Sequence, residues 1–264
     1  MRRTRGKRIL AVTCATAMAA GIAGCEAHAA RRHFINSVQA AQGSVAAERN
    51  LAIAFDLEVQ DGLEPPAHGH FICAVQGRGV CATYDNGVHV VWNGQQGWVS
   101  PDTPHPPAAL CNARRYAWLL TAPLRLRDPG VRVEALGTLP YEDHPWPCAR
   151  LTFPDVEPAP PSPGLILYSD PQSHLVAVVA FVVDESTDSD GHPQWAPRSV
   201  TFDDFVEVNG LTLPTNWTFW PWTRTLGPCG DLVGVAKLSN LSLVEIEEDT
   251  FALPAANVSP DESR

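Results

Sequence analysis

The residues best equipped for chemistry in this chain are aromatic. Thr215-Asn216-Trp217-Thr218-Phe219-Trp220-Pro221-Trp222 puts Trp217 and Phe219 on one face of an expected strand and Trp220 and Trp222 towards the other, because side chains alternate along a strand. Trp217 and Phe219, with Trp92, Trp98, Trp118 and Trp146, are candidates for the lining of an apolar cavity, the usual form of a small-ligand site. A plain core is the other reading, since one aromatic side chain buries about 150–250 Å². Both stay open at this point.

Catalytic and metal chemistry is thinly represented. His68-Gly69-His70 presents two imidazoles, but no third ligand stands at a recognised spacing, and zinc sites need three or four. Ser186-Thr187-Asp188-Ser189-Asp190-Gly191 has part of a calcium-loop pattern. Its first position is Ser and its twelfth is Pro197 where a bidentate Glu is required, so a solvated acidic loop is expected. Asp102 and His105 are close in sequence, with Cys111 nearby, yet Pro101, Pro104 and Pro106 predict an irregular loop rather than a positioned dyad. No G-x-S-x-G elbow, H-E-x-x-H helix or phosphate-cradling glycine loop occurs. The expectation is a non-enzymatic protein with no catalytic residue, no metal and no cofactor.

Cys25 has chemistry of another kind. The chain opens with five positive charges and no acid in eight residues, followed by an uncharged run from Ile9 to Gly24. That order is a secretory signal peptide, and the run is shorter than the roughly 20 apolar residues of a membrane span. Ile22-Ala23-Gly24-Cys25 has the order of a bacterial lipobox: an aliphatic residue, two small ones, then the thiol that receives diacylglycerol. Cys25 is therefore the expected lipid-attachment residue, carrying fatty acyl chains of the palmitate kind, and several chains together anchor stably where one is marginal. Ala27-His28-Ala29 offers a competing small-x-small site, and cleavage after Ala29 would release a soluble secreted protein. Glu26, rather than Asp, follows the cysteine, which favours the outer membrane, facing the periplasm. The expected organisation is a signal peptide over 1–24, a short tether over 25–30, one domain over 31–254 and a disordered tail over 255–264.

Charge narrows the partners. Residues 1–24 hold five of the 19 basic side chains and none of the 29 acids, which leaves the mature chain 14 basic residues and a net charge of −15. Nucleic acid is excluded as a partner, because binding it requires basic surface. Attachment to anionic lipid by overall charge is excluded too, so the membrane is expected as a partner through the lipid anchor. Beyond Cys25 the mature chain has Cys73, Cys81, Cys111, Cys148 and Cys229. Cys73 and Cys81 flank Gln76-Gly77-Arg78-Gly79 between two strand-like runs and are the preferred disulfide pair; buried free thiols are the alternative.

These residues need elements to position them. Phe34, Val38 and Ala41 within 30–48 recur at helical spacing. Ile53, Phe55, Leu57 and Val59 alternate with Ala54, Asp56 and Glu58 as a half-buried strand. Further strands are predicted at 70–75, 80–84 and 87–92, then a helix over 106–120. Seven more strands follow at 131–137, 147–153, 164–169, 174–183, 199–208, 211–220 and 232–244. Asn86-Gly87 and Asn209-Gly210 are tight hairpin signals. Two loops are expected, at 154–163 and 184–197. The class is mainly β (α+β), an antiparallel meander with two or three helices.

Several blocks resemble one known family. Tyr84-Asp85-Asn86-Gly87, Val91-Trp92-Asn93-Gly94 and Gly97-Trp98 come first, then Pro123-Leu124-Arg125-Leu126-Arg127-Asp128-Pro129-Gly130 and Leu165-Ile166-Leu167-Tyr168-Ser169-Asp170-Pro171. Phe202-Asp203-Asp204-Phe205, Val208-Asn209-Gly210-Leu211-Thr212-Leu213-Pro214 and Phe251-Ala252-Leu253-Pro254 complete the series. In this order they are similar to bacterial envelope proteins of the lipoprotein-carrier (Lol-type, outer-membrane lipoprotein-sorting-like) superfamily, in a subgroup distinct from the carrier itself. The resemblance implies a single strongly curved antiparallel sheet, an incomplete barrel with helices over its concave face, and a cavity that holds acyl chains. It implies a membrane-anchored protein binding a lipid or other apolar ligand. The alternative is a structural or protein-interaction lipoprotein with a side-chain-filled core. The carrier proper is a soluble shuttle, so a tethered relative fits reception or storage better than shuttling.

Overall fold

The computed structural model describes residues 9–44, 50–60, 67–77, 79–101, 106–153, 164–187 and 193–254. Asp102, His105, the proline-rich segment 154–163, residues 188–192 of the calcium-like motif and the expected tail lie outside the described residues.

Among the described residues thirteen strands make one antiparallel sheet. In chain order they are β1 (Leu51–Gln60), β2 (Ala67–Ala74), β3 (Val80–Tyr84), β4 (His89–Trp92), β5 (Gly97–Val99), β6 (Arg132–Tyr141) and β7 (His144–Thr152). Then come β8 (Leu165–Ser169), β9 (Val176–Thr187), β10 (Pro193–Val208), β11 (Leu211–Thr223), β12 (Gly227–Pro228) and β13 (Gly234–Glu245). The spatial order is β5-β4-β3-β2-β1-β13-β11-β10-β9-β8-β7-β6, with β12 paired to β11. β5 and β6 remain edges, so the expected incomplete barrel is what forms.

The helices are α1 (Ile9–Gln42) and α2 (Pro106–Thr121), the latter running into a single 3₁₀ turn over Ala122–Arg125. α1 starts well before the expected residue 30. Residues 26–33 are exposed helical turns and burial begins at Phe34, Ile35 and Val38, so the stretch expected as a tether continues the helix. No described helix is long and apolar enough to cross a membrane. α1 stops at Gly43, whose φ of +83° and N–H bond to the Gln39 carbonyl close the helix end. A Cβ there would lie 2.1 Å from the carbonyl oxygen of Gly210, so only glycine lets the helix end rest on the β10–β11 turn. Gln42 is buried beside it and accepts a hydrogen bond from the backbone N–H of Val176 at 3.2 Å.

Three expectations need correction. The segment 184–197 is not simply a loop, because β9 runs to Thr187 and β10 starts at Pro193, with Trp195 opposite Asp184 and Pro197 opposite Val182. Paired backbone carries a two-stranded ribbon on through polar sequence. β6 and β7 extend past the expected ends to a two-residue turn, Glu142-Asp143, with φ of 49° and 61°, the conformation a tight hairpin requires. Pro140, Pro145 and Pro147 sit in this hairpin, which includes the edge strand β6, where a missing N–H is tolerated. Finally, Cys73 pairs with Val80 and Cys81 with Ile72. This one-residue offset turns the two thiols to opposite faces, and both are free.

Candidate functional site

The core between the sheet and its helices holds four of the six expected aromatics. Trp92 on β4 and Trp118 on α2 meet edge to face at 6.3 Å, and Trp118 packs on Phe153 at 5.5 Å. Trp217 on β11 lies between Phe202 at 5.3 Å and Phe219 at 6.5 Å. Trp92, Trp118, Trp217 and Phe219 all belong to the main buried cluster with Phe34 and Val38 of α1. Trp98 is only half-buried, on the short edge strand β5.

Trp146 is a correction. It lies in a separate cluster with Leu139, Cys148, Tyr168 and Val178, on the outer face, and meets Tyr141 at 4.8 Å. It therefore cannot line a cavity under the helices. Trp222 packs against this outer cluster and donates its indole N–H to the Tyr168 hydroxyl at 2.8 Å. Trp220, on the same face, donates to Thr201 at 3.2 Å.

The helix-covered tryptophans differ in one respect. The indole N–H groups of Trp92, Trp118 and Trp217 are buried and have no hydrogen-bond partner among the described residues. A buried donor left unmade costs about 1–3 kcal/mol. Trp217 also forms part of the wall of an open groove of about 670 Å³ beside the start of β13. Val59, Ala67 and Ala236 add apolar surface to it, with Asp203, Asn216 and Lys237 at its rim. Burial, followed by the charges of Asp204 and Glu142, raises the Asp203 carboxyl above its ordinary value.

Arginines on this side escaped the sequence reading. Arg114 is buried with its guanidinium 4.5 Å above the Trp92 ring and 5.6 Å from Trp118, a cation–π arrangement. Arg125 is buried 4.5 Å above Phe153 and bonds Asp128 at 3.0 Å. The helical register of α2 carried a signal, since Arg114 and Arg115 stand between Ala113 and Tyr116, all four buried.

The remaining candidates scatter. His68 and His70 point outward from β2 and donate from Nδ1 to separate carboxylates, Asp85 and Asp56, each at 2.7 Å. Hydrogen bonds from Asn240 and His70 hold Asp56 below the usual carboxylate range. Among the described residues no group of three His, Cys, Asp or Glu side chains is placed to hold a metal. Burial pushes the Cys73 and Cys148 thiols up to about 12, while Cys111 is exposed on α2. Cys25 belongs to α1.

No family model matches the sequence, and neither does any curated protein. Solved structures do match. A DUF1329 family protein from Desulfovibrio piger aligns with a TM-score of 0.48 at 9% identity, over 85% of this chain and 96% of that one. A LolA superfamily protein from Nitrosomonas europaea aligns with a TM-score of 0.53 at 11% identity, over 84% of this chain and 97% of that one. The open, helix-covered sheet thus leads to one conclusion: this chain has the fold of that LolA superfamily protein.

Proposed function

We propose that this protein is a lipid-anchored component of the bacterial envelope, held through Cys25, whose half-barrel binds an acyl-chain lipid or a similar apolar ligand without catalysing a reaction. The observation that carries the reading is Trp217. It joins a buried, unpaired indole donor to the wall of a 670 Å³ groove, inside the roughly 300–1,000 Å³ range of ligand sites. An acyl chain suits such a place, because Val59, Ala67, Ala236 and Trp217 give the groove an apolar wall. The fold adds support at the level of architecture.

A second reading rests on the packing under α2. Trp92, Trp118 and Arg114 stack on one another and fill that part of the concave face, as a structural or protein-interaction lipoprotein would. Displacement of a fluorescent fatty-acid reporter by unlabelled fatty acid or phospholipid tests the first reading against the second. The ligand reading expects micromolar reporter binding that weakens in Trp217→Phe. No binding at micromolar reporter leaves the second reading standing.

A further inference from the structure

We propose that a groove between α1 and the turn after the 3₁₀ segment binds the phosphate of an anionic lipid headgroup and sets how the half-barrel stands on the bilayer. The groove has a volume of about 410 Å³ and is lined by Arg31, Arg32 and Arg127, over apolar Ile35, Leu126 and Val131. It rests on the anchoring reading of Cys25.

Three features point to a phosphate. The first is charge: a mature chain of net −15 gathers three of its 14 basic side chains at this one place. Arg31 and Arg32 are exposed and make no ion pair among the described residues. The acid of the groove, Asp128, is engaged by Arg125 at 3.0 Å. The second is geometry: Arg127 donates from Nη2 to Asn36 Oδ1 at 2.6 Å, which ties the turn to α1 with the guanidinium at the groove. Planar guanidinium forks match phosphate oxygens in pairs.

The third feature is position. Arg31 and Arg32 follow Cys25 by six and seven residues on one continuous helix, which at 1.5 Å per residue is about 9–11 Å. A headgroup layer is about 5–8 Å deep per leaflet, and arginine stems reach several ångströms beyond the helix. An acyl chain on Cys25 therefore delivers these guanidiniums to the phosphates. An acidic protein is repelled by an anionic surface, so this basic groove is the part that the surface attracts. The apolar floor accepts the glycerol end of the lipid.

The test uses the full protein purified from membranes in neutral detergent. Dihexanoyl-phosphatidylglycerol, dihexanoyl-phosphatidylcholine and inorganic phosphate are titrated separately by calorimetry, on wild type, on Arg31→Gln/Arg32→Gln and on Arg127→Gln. Each arginine near a lipid surface strengthens binding about fivefold. The expected results are preference for phosphatidylglycerol, at least tenfold weakening in the double variant, and steep loss of binding with salt. The double variant alters exposed side chains, and an unchanged melting temperature confirms its fold. Equal binding of both lipids, or no effect of the variants, overturns the site; inorganic phosphate binding as tightly as the lipid overturns the headgroup assignment. The mass of the N-terminal peptide from the same preparation reports on Cys25 separately, so failure of the anchor and failure of the groove are distinguishable.

Discussion

The two faces of this sheet use tryptophan differently. On the outer face Trp220 and Trp222 each pass their indole N–H to a hydroxyl, Thr201 and Tyr168, and Trp146 packs beside them with Tyr141. On the helix-covered face Trp92, Trp118 and Trp217 are buried more deeply and keep their donors unpaired among the described residues. Buried donors are ordinarily satisfied, as the indoles of the half-buried Trp220 and Trp222 are, although the buried Ser199 hydroxyl of the outer face also stays unpaired among the described residues. The contrast separates aromatics that close the structure from aromatics available to something else.

The strongest test of that contrast is truncation. Trp217→Ala empties a fully buried site and is expected to cost about 3–5 kcal/mol, while Trp222→Ala, half-buried on the outer face, is expected to cost clearly less. Urea denaturation gives both values. Equal losses would mean that burial on the two faces is equivalent.

Thiol chemistry probes whether both faces are closed to solvent. Cys73 lies under the helices and Cys148 in the outer cluster, and burial pushes both up to about 12. From the ordinary 9.0, that shift cuts the thiolate fraction by about a thousandfold. An alkylating reagent should modify Cys111 quickly and reach Cys73 and Cys148 only on unfolding. A Cys73–Cys81 disulfide in the peptide map of the non-reduced protein would contradict the register of β2 and β3.

A gentler substitution isolates the donors. Trp222→Phe removes the bond to Tyr168 and should cost about 1 kcal/mol for the bond, besides the lost ring volume. Trp217→Phe removes a donor that has no partner among the described residues, so its loss in the ligand-free protein should be the cavity cost of a fully buried ring alone. A loss in Trp217→Phe that exceeds that of Trp217→Leu, which removes more volume, would show that the Trp217 donor is satisfied after all.

Much of this architecture was legible in the chain. The alternation of Ile53, Phe55, Leu57 and Val59 dictates the strand β1, and Asn209-Gly210 dictates the hairpin of β10 and β11, with φ of 49° and 83°. Other parts were hidden for physical reasons. β7 is buried on both faces, with Trp146 and Cys148 outward and Ala149 and Leu151 inward, so alternation could not say which side Trp146 takes. The Cys73–Cys81 expectation failed on a register offset of one residue, which depends on the turn geometry between β2 and β3. The 670 Å³ groove joins β1, β2, β10, β11 and β13, and no local pattern reports such a meeting.

The smallest effect concerns the outward histidines. The Asp56 carboxyl lies below its ordinary 3.8 in the folded protein. Its stabilisation is therefore present above about pH 4 and is lost as pH falls through the folded value. Asn240→Ala removes one of the two hydrogen bonds responsible and should cost about 0.5 kcal/mol at neutral pH. The difference from wild type should shrink below the folded value; a difference independent of pH would remove Asp56 from the explanation.

Native mass spectrometry of the protein extracted gently from bacterial membranes tests the central claim most directly. The account predicts a chain that begins at Cys25, carries diacylglycerol and further acyl mass on that residue, and retains a non-covalent lipid that is lost in Trp217→Ala. A chain beginning after Ala29, without acyl mass and without a bound lipid, would contradict it.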